Sequence, residues 1–492
     1  MILLVYLLYS AWVCRILINI SSYVHLWSVK EYRLDRMLIH LKTKQGSRLL
    51  FLPWRRLPLR PKSLGVFLFS LSVLGVFFII FPVSTFFKLF IVDILSFPVT
   101  LIIVLLLKLP TFMYHSVLIS KSVTLLRQHK KMKVIGVTGS YGKTSTKEIL
   151  YTLLSQKYKT LKTEASKNSP IAIAELLIRK LTPDCEVLIV EMGAYKRGEI
   201  AQMSAMVKPQ VGIVTAINAQ HLDLFGDLNT TMKAKYELIQ GLSEGKIAIF
   251  NGDNSYTSEM GSWAARDGCS VWYYSMDSAK KTAKQFACIA TNIKATPSGV
   301  SFTVHYGAKS ASVSVGLLGK YQVANILAAI SGAISCGMTF DEATKACVHI
   351  RPFPKTMQKV TGLNGSVFID DTFNNNPDAA RAAIDFLATT KGQKFFIFQP
   401  MIELGDTADE SHRSVGAYAA KICDHIILTN DNFHASFISG VQSEGSDKKA
   451  DVLPPSDAAA YIRAHVKRGD TVLFKGKESG RILDLLKAKQ MA

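Results

Sequence analysis

The stretch Val134-Ile135-Gly136-Val137-Thr138-Gly139-Ser140-Tyr141-Gly142-Lys143-Thr144-Ser145 combines residue types suited to holding phosphate. Its glycines let backbone N–H groups curl around anionic oxygens, so Gly139, Ser140, Gly142, Lys143, Thr144 and Ser145 are the expected nucleotide cradle. Lys143 would reach the outer phosphates of ATP, and the Thr144 hydroxyl would hold Mg²⁺. Val137 stands where the general phosphate-loop pattern has its first glycine. Further on, Glu191 ends the apolar run Val187-Leu188-Ile189-Val190. A carboxylate at that point can meet a metal at the phosphate site or cap the following helix. His221 takes its weight from these two features, as a metal-side group or a general base.

Such residues need rigid elements behind them. A β-branched run before the loop and the pattern Lys147, Glu148, Ile149, Leu150, Leu153, Leu154 after it predict a strand–loop–helix unit. Beyond it, strand-like and helix-like segments alternate, which predicts an α/β architecture with parallel sheets. Strands are expected at 187–190, 211–215 and 247–250, with a small antiparallel addition over 288–318. A second, Rossmann-like unit is expected from strand patterns at 367–370, 395–398, 425–428 and 471–474. The expected division is a membrane region over 1–130, a central ATP-binding domain over 131–350 and a C-terminal domain over 351–492.

The chain has 492 residues, 49% of them hydrophobic, and a net charge of +21. That charge could suggest nucleic acid, but its placement points to a membrane surface and no nucleic-acid partner. Apolar segments at 1–22, 63–81 and 89–107 approach the ~20 residues that cross a bilayer as a helix. The first lacks a basic leader and a small-residue cleavage site, so a retained span is expected rather than a signal peptide. Between the first two, residues 28–62 carry ten Lys or Arg against Glu31 and Asp35. The positive-inside rule puts this loop, and after two more spans the catalytic domains, in the cytoplasm of a multi-pass inner-membrane protein. Asp93, about one turn from Lys88, reads as a structural carboxylate near the outer interface, and 108–133 as an amphipathic connector on the membrane surface. Seven scattered cysteines without a C-x-x-C pair fit reduced thiols rather than disulfides or a zinc site.

Five motifs, in this order and spacing, make residues 133–490 resemble the Mur ligase family of ATP-dependent amide ligases, above all its D-alanyl-D-alanine-adding branch. They are Gly136 to Thr144; Glu191-Met-Gly-Ala194 with Gly198-Glu199-Ile200; His221-Leu-Asp-Leu-Phe-Gly226 with Ala234-Lys235; Asp370-Asp-Thr-Phe-Asn-Asn-Asn-Pro377; and Glu403-Leu-Gly405 with His412. The family's loop has the Val137 form. The resemblance implies Lys143, Glu191, His221 and Lys235 as catalytic residues, with Thr144, Glu191 and His221 holding Mg²⁺. It implies a carbamylated Lys235, an adenine-side Asn325, a ribose contact from Asp371 and a phosphate contact from Lys475. Asn168, Asn374 and Asn376 would line the substrate side.

The implied reaction activates a carboxylate as an acyl phosphate and joins it to an amino acid or dipeptide amine. Crowding a carboxylate against a γ-phosphate requires positive charge to cancel repulsion. The acceptor would be an acidic cell-wall precursor or polymer, delivered at the lipid bilayer. Other readings are a nucleotide-binding membrane scaffold without turnover and a polyglutamate or capsule-type ligase. Membrane spans stand in place of the family's UDP-sugar-binding domain. Its Gly-Arg ahead of the second unit is Lys355-Thr356, its His-Asn after Gly319 is Tyr321-Gln322, and its Gly-Asp before Met401 is Gln399-Pro400.

Overall fold

The computed structural model describes all residues except 1, 31, 35–36, 39–40, 42–54, 165–166, 195, 219–226, 244, 283–285, 403, 445–449 and 489–492, and the side chains of 2, 281, 282 and 286. His221, Glu403 and much of the basic 28–62 loop therefore lie outside the described residues. The chain divides into two compact units, Met1–Val117 and Leu118–Ala492.

In the first unit, helices Ile2–Val29, Pro61–Ile80 and Thr85–Leu106 bury one face around Ile20, Trp27, Val66, Leu74, Val92 and Val104. Their outward faces remain apolar, with Leu68, Phe69, Ile79, Phe90 and Ile94 exposed. A water-soluble bundle would carry polar residues there. Three helical stretches, Leu3–Val29, Pro61–Ile80 and Thr85–Arg127, are long and apolar enough to cross a membrane. Asp93 is held by side chains of the first helix. Its carboxylate accepts from Asn19 Nδ2 at 2.7 Å and Trp12 Nε1 at 3.2 Å, and pairs with Arg15 Nε at 3.2 Å. Lys88, its neighbour in sequence, sits over the Phe78 ring at 5.3 Å.

The second unit holds two sheets. The first has nine strands in the order β2 (Thr160–Lys162), β3 (Val187–Glu191), β1 (Lys133–Thr138), β4 (Val211–Val214), β5 (Ile247–Asn251), β6 (Ser270–Ser275), β7 (Phe286–Thr296), β8 (Gly299–Tyr306) and β9 (Lys309–Val315). Pairing is parallel from β2 through β7, and antiparallel for β7–β8 and β8–β9. The antiparallel addition thus extends the main sheet rather than forming a separate layer. Both faces are covered, so alternate residues of β1 feed two cores: Val134 joins Leu188, Val190 and Met203, while Ile135 and Val137 join Leu150, Leu153 and Ile330. Two-sided burial explains why these strands are continuous apolar runs.

The expected surface connector is revised. Within helix Lys108–Arg127, Leu118, Ile119, Val123 and Leu126 pack against the core that contains Val134 and Leu188. This half of the helix belongs to the α/β unit, because its apolar residues recur at helical spacing toward that core.

The second sheet runs β10 (Gln358–Thr361), β11 (Val367–Asp371), β15 (Thr471–Lys475), β12 (Lys394–Phe398), β13 (His425–Leu428) and β14 (Ala450–Val452). All pairs are parallel except the β10 edge. In register, Asp371, Lys475, Phe398 and Leu428 reach the same carboxyl edge, where open α/β sheets place their ligands.

Candidate active site

The phosphate loop leaves β1 at Thr138 and enters helix Lys143–Leu154 through Gly142, whose φ of 79° favours glycine. A Cβ at Gly142 would come within 2.6 Å of Asn325 Oδ1, and one at Gly139 would collide with Thr215 Oγ1. Close approach, as well as backbone conformation, therefore requires glycine. Thr215 braces the loop from β4 by donating to the Tyr141 carbonyl. Asn325, on helix Gln322–Ser335, lies beneath the loop; it accepts from Thr146 Oγ1 at 3.4 Å and donates to Gln322 Oε1 at 2.9 Å. Ser145 is buried in the first helical turn. Lys143 folds back to donate to the Gly139 and Ser140 carbonyls at 2.6 and 2.9 Å. Burial lowers its pKa, and the Glu191 charge opposes that shift.

Glu191 is the hub beside this loop. Register pairs it with Val137, so the end of β3 faces the start of the cradle. Its Oε1 accepts from Thr144 Oγ1 and from Asn168 Nδ2, both at 3.2 Å. Its backbone N–H donates to Thr163 Oγ1 at 2.9 Å. The other oxygen, Oε2, is buried and accepts no hydrogen bond among the described residues; it faces the Lys147 ammonium at 3.1 Å. Lys147 is itself fully buried and also lies 3.3 Å from Glu148 Oε1. Lys147 was not among the residues expected from sequence. Its signal was its position: three, four and seven residues before Leu150, Tyr151 and Leu154, on the face that packs inward.

Lys235, on helix Leu228–Gln240, is 3% exposed. Burial first, then the charge of Lys143, lowers its pKa to about 7, against the pull of Glu199 and Glu237. It is thus an amine with a substantial neutral fraction near neutrality. Glu237 accepts from the Gly198 and Ala201 N–H groups at 2.7 and 3.0 Å, fixing the start of helix Glu199–Val207.

At the second sheet's carboxyl edge, Lys475 Nζ donates to Asp371 Oδ2 at 2.6 Å, and both side chains are buried. The two residues expected to contact ATP separately are here each other's partner. Asn376 accepts from Ala379 N–H at 3.0 Å and caps helix Pro377–Ala388, whereas Asn374 is exposed. His412 is buried, accepts from the Met401 N–H at 2.9 Å and stacks on Phe433 with rings 4.4 Å apart. Burial lowers its pKa, so it braces the Met401 turn as a neutral ring. Lys355 and Met357 both have positive φ, 60° and 46°. Glycine adopts that conformation freely, so a lysine at position 355 is strained there.

Among the described residues, no cluster of three or more His, Cys, Asp or Glu forms a metal cage. The hydroxyl–carboxylate pair of Thr144 and Glu191, with Oε1 facing the hydroxyl and Oε2 paired to Lys147, does suit Mg²⁺, which keeps water and phosphate oxygens for its remaining positions.

Comparison with known proteins identifies the family to which both sheets belong. The family model of the Mur ligase middle domain matches residues 137–333, and that of the Mur ligase glutamate ligase domain matches 357–478. The UDP-N-acetylmuramoyl-tripeptide–D-alanyl-D-alanine ligase of Escherichia coli is 32% identical over 369 residues, covering 74% of this chain and 78% of that protein. The Bacillus subtilis protein of the same name is 25% identical over 75% of this chain and 80% of its own length. The crystal structure of MurF from Acinetobacter baumannii superposes with a TM-score of 0.68 at 26% identity, over 77% of this chain and 80% of that one. MurF from Thermotoga maritima, solved with ADP, shares the fold with a TM-score of 0.66 at 24% identity, over 77% and 85% of the two chains. With both sheets matched and a relative at this identity, the chain belongs to the Mur ligase family, ATP-dependent ligases that form amide bonds.

Proposed function

We propose a membrane-anchored member of this family, with helices 2–29, 61–80 and 85–106 in the inner membrane and both α/β domains on its cytoplasmic side. It is a ligase of the peptidoglycan-precursor type, and the proposed reaction joins a precursor carboxylate to an amino acid or dipeptide amine such as D-alanyl-D-alanine. One observation carries the active-site assignment: Glu191 Oε1 stands 3.2 Å from the Thr144 hydroxyl at the mouth of the glycine cradle.

The chain's own groups account for each stage. Loop N–H groups from Gly139 to Ser145 and the positive end of helix Lys143–Leu154 bind the nucleotide phosphates. Asn325 supports that loop on the nucleotide side. Lys143 leaves its two carbonyl partners to neutralise the outer phosphate. The acceptor carboxylate oxygen then attacks phosphorus, the bond to the β-phosphate oxygen breaks, and ADP departs. The amine nitrogen next attacks the acyl carbon, phosphate leaves, and the nitrogen loses its proton. Thr144 and Glu191, joined by His221 as the resemblance implies, would hold Mg²⁺, which when bound screens phosphate charge from the incoming carboxylate. Lys235 would be carbamylated, its neutral amine nitrogen bonding the carbon of CO₂ and losing a proton to solvent to leave a carbamate anion. Asn168 orients Glu191 from the acceptor side, and Asn374 and Asn376 shape the amine side. Asp371 and Lys475 would exchange their mutual bond for ribose and phosphate.

Purified full-length protein in detergent, given ATP, UDP-N-acetylmuramoyl-tripeptide or its lipid-linked counterpart, and D-alanyl-D-alanine, should release ADP only when both co-substrates are present. The product mass should correspond to the joined pair less one water. Amine-independent ADP release, or no joined product with either acceptor, overturns the reading. The anchoring is tested separately: carbonate washing should leave the full chain in the membrane fraction.

A further inference from the structure

We propose that Asn218 is a positioning residue that latches the second sheet domain onto the phosphate loop. It lies on the loop leaving β4, four residues beyond Val214. Its backbone N–H donates to Ser140 Oγ at 3.2 Å, and Ser140 N–H in turn donates to the Ala216 carbonyl at 2.7 Å. The two loops are thus stitched together at two points. From that platform the Asn218 amide reaches across to the other domain: Nδ2 donates to Asp378 Oδ2 at 2.8 Å and to Asn376 Oδ1 at 3.3 Å. These partners lie 160 and 158 residues further along the chain.

The far end of the latch is well anchored. Asn376 is 1% exposed and caps helix Pro377–Ala388 through Ala379 N–H, and Asp378 is in that helix's first turn. The Asn218 side chain therefore ties the Asn374–Asn376 loop and its helix to Ser140. The near end is part of the cradle that meets phosphate. A shift of Ser140 on nucleotide binding must move Asn218, and through it the helix that carries the expected amine-side loop. The contacts are partly exposed, so they bias an open–closed equilibrium without locking it. Closure matters for this chemistry because an acyl phosphate exposed to water hydrolyses. This inference rests on the nucleotide reading of the loop only for its link to turnover.

The test places one spin label at Glu259 and one at Asp457, exposed positions on the two domains, as noncanonical residues in the full-length protein. Without nucleotide, the wild type should give one narrow interdomain distance distribution. Asn218→Ala should broaden it, and Asn218→Asp, which sets a carboxylate against Asp378, should broaden it further. The reciprocal Asn218→Asp/Asp378→Asn variant should restore the narrow distribution by reversing donor and acceptor. In turnover, Asn218→Ala should raise ADP released per amide formed by at least about fivefold, while the ATP KM stays within about twofold. Unchanged distances in both single variants, or a reciprocal variant no narrower than they are, overturn the latch. The nucleotide-free distances judge it even in a chain that binds no ADP, a result that would overturn only the nucleotide reading.

Discussion

Lys147 Nζ lies 3.1 Å from Glu191 Oε2, and both side chains are sealed from solvent. The cation occupies one carboxylate oxygen while Thr144 and Asn168 occupy the other. Without such a partner, a carboxylate this deeply buried would be an uncompensated charge. Lys147 therefore aims Glu191 at the cradle.

Replacing Lys147 with Met keeps the volume and deletes the charge. The half-saturating Mg²⁺ concentration for ATP turnover should rise several-fold, with Lys147→Arg intermediate. A titration of activity against Mg²⁺ at saturating ATP checks this. A loss of thermal stability with an unchanged Mg²⁺ profile would show a purely structural role.

Lys235 supplies a pH signature. Its pKa is about 7 in the folded chain and near the usual lysine value once unfolded. Between those values the unfolded state binds the extra proton, so stability rises with pH from about 7 to about 10 and is flat below. Lys235→Met should remove that rise in a series of melting curves. Carbamylation needs the neutral amine, so activity should also increase as pH passes upward through about 7. It should fall in CO₂-depleted buffer and return with bicarbonate, with a carbamate carbon visible by NMR in ¹³C-bicarbonate.

The Asp371–Lys475 pair should show strong coupling. Lys475→Met leaves a buried carboxylate without its cation and should destabilise the chain by about 3–5 kcal/mol, as should Asp371→Leu in the opposite sense. The double variant should recover much of that loss. Chemical denaturation of all four forms measures the coupling, and additive losses would mean the pair is not a unit.

Lys355 carries backbone strain, with φ at 60° and an exposed side chain. Lys355→Gly should stabilise the chain by roughly 0.5–1 kcal/mol, partly offset by the freedom glycine gains when unfolded. A lower melting temperature would mean that the lysine side chain makes a stabilising contact.

Much of the molecule was legible in the linear chain because its determinants are local. The phosphate loop depends on glycines within a few residues of each other, and the strands behind it are apolar because both sheet faces are covered. Glu191 was legible for the same reason: it directly follows a buried strand, and strand ends are where parallel sheets present ligand groups. The three long apolar helices follow from hydropathy alone.

What the linear chain did not determine depends on distant residues meeting. Asp93 reads as a structural carboxylate with no named partner, and Arg15, Trp12 and Asn19 on another helix take it because helix packing brings that face to its carboxylate. Asp371 and Lys475, 104 residues apart, become partners because β11 and β15 are neighbours in register. Asn218 has no distinguishing neighbours in sequence and becomes notable only where two domains approach. The types and spacing of residues 134–145 and 187–191 determined that a glycine loop and a strand-end carboxylate meet at one sheet edge. Only tertiary structure decided which buried charges pair there, because electrostatic partners are chosen by distance in space and by exclusion from water.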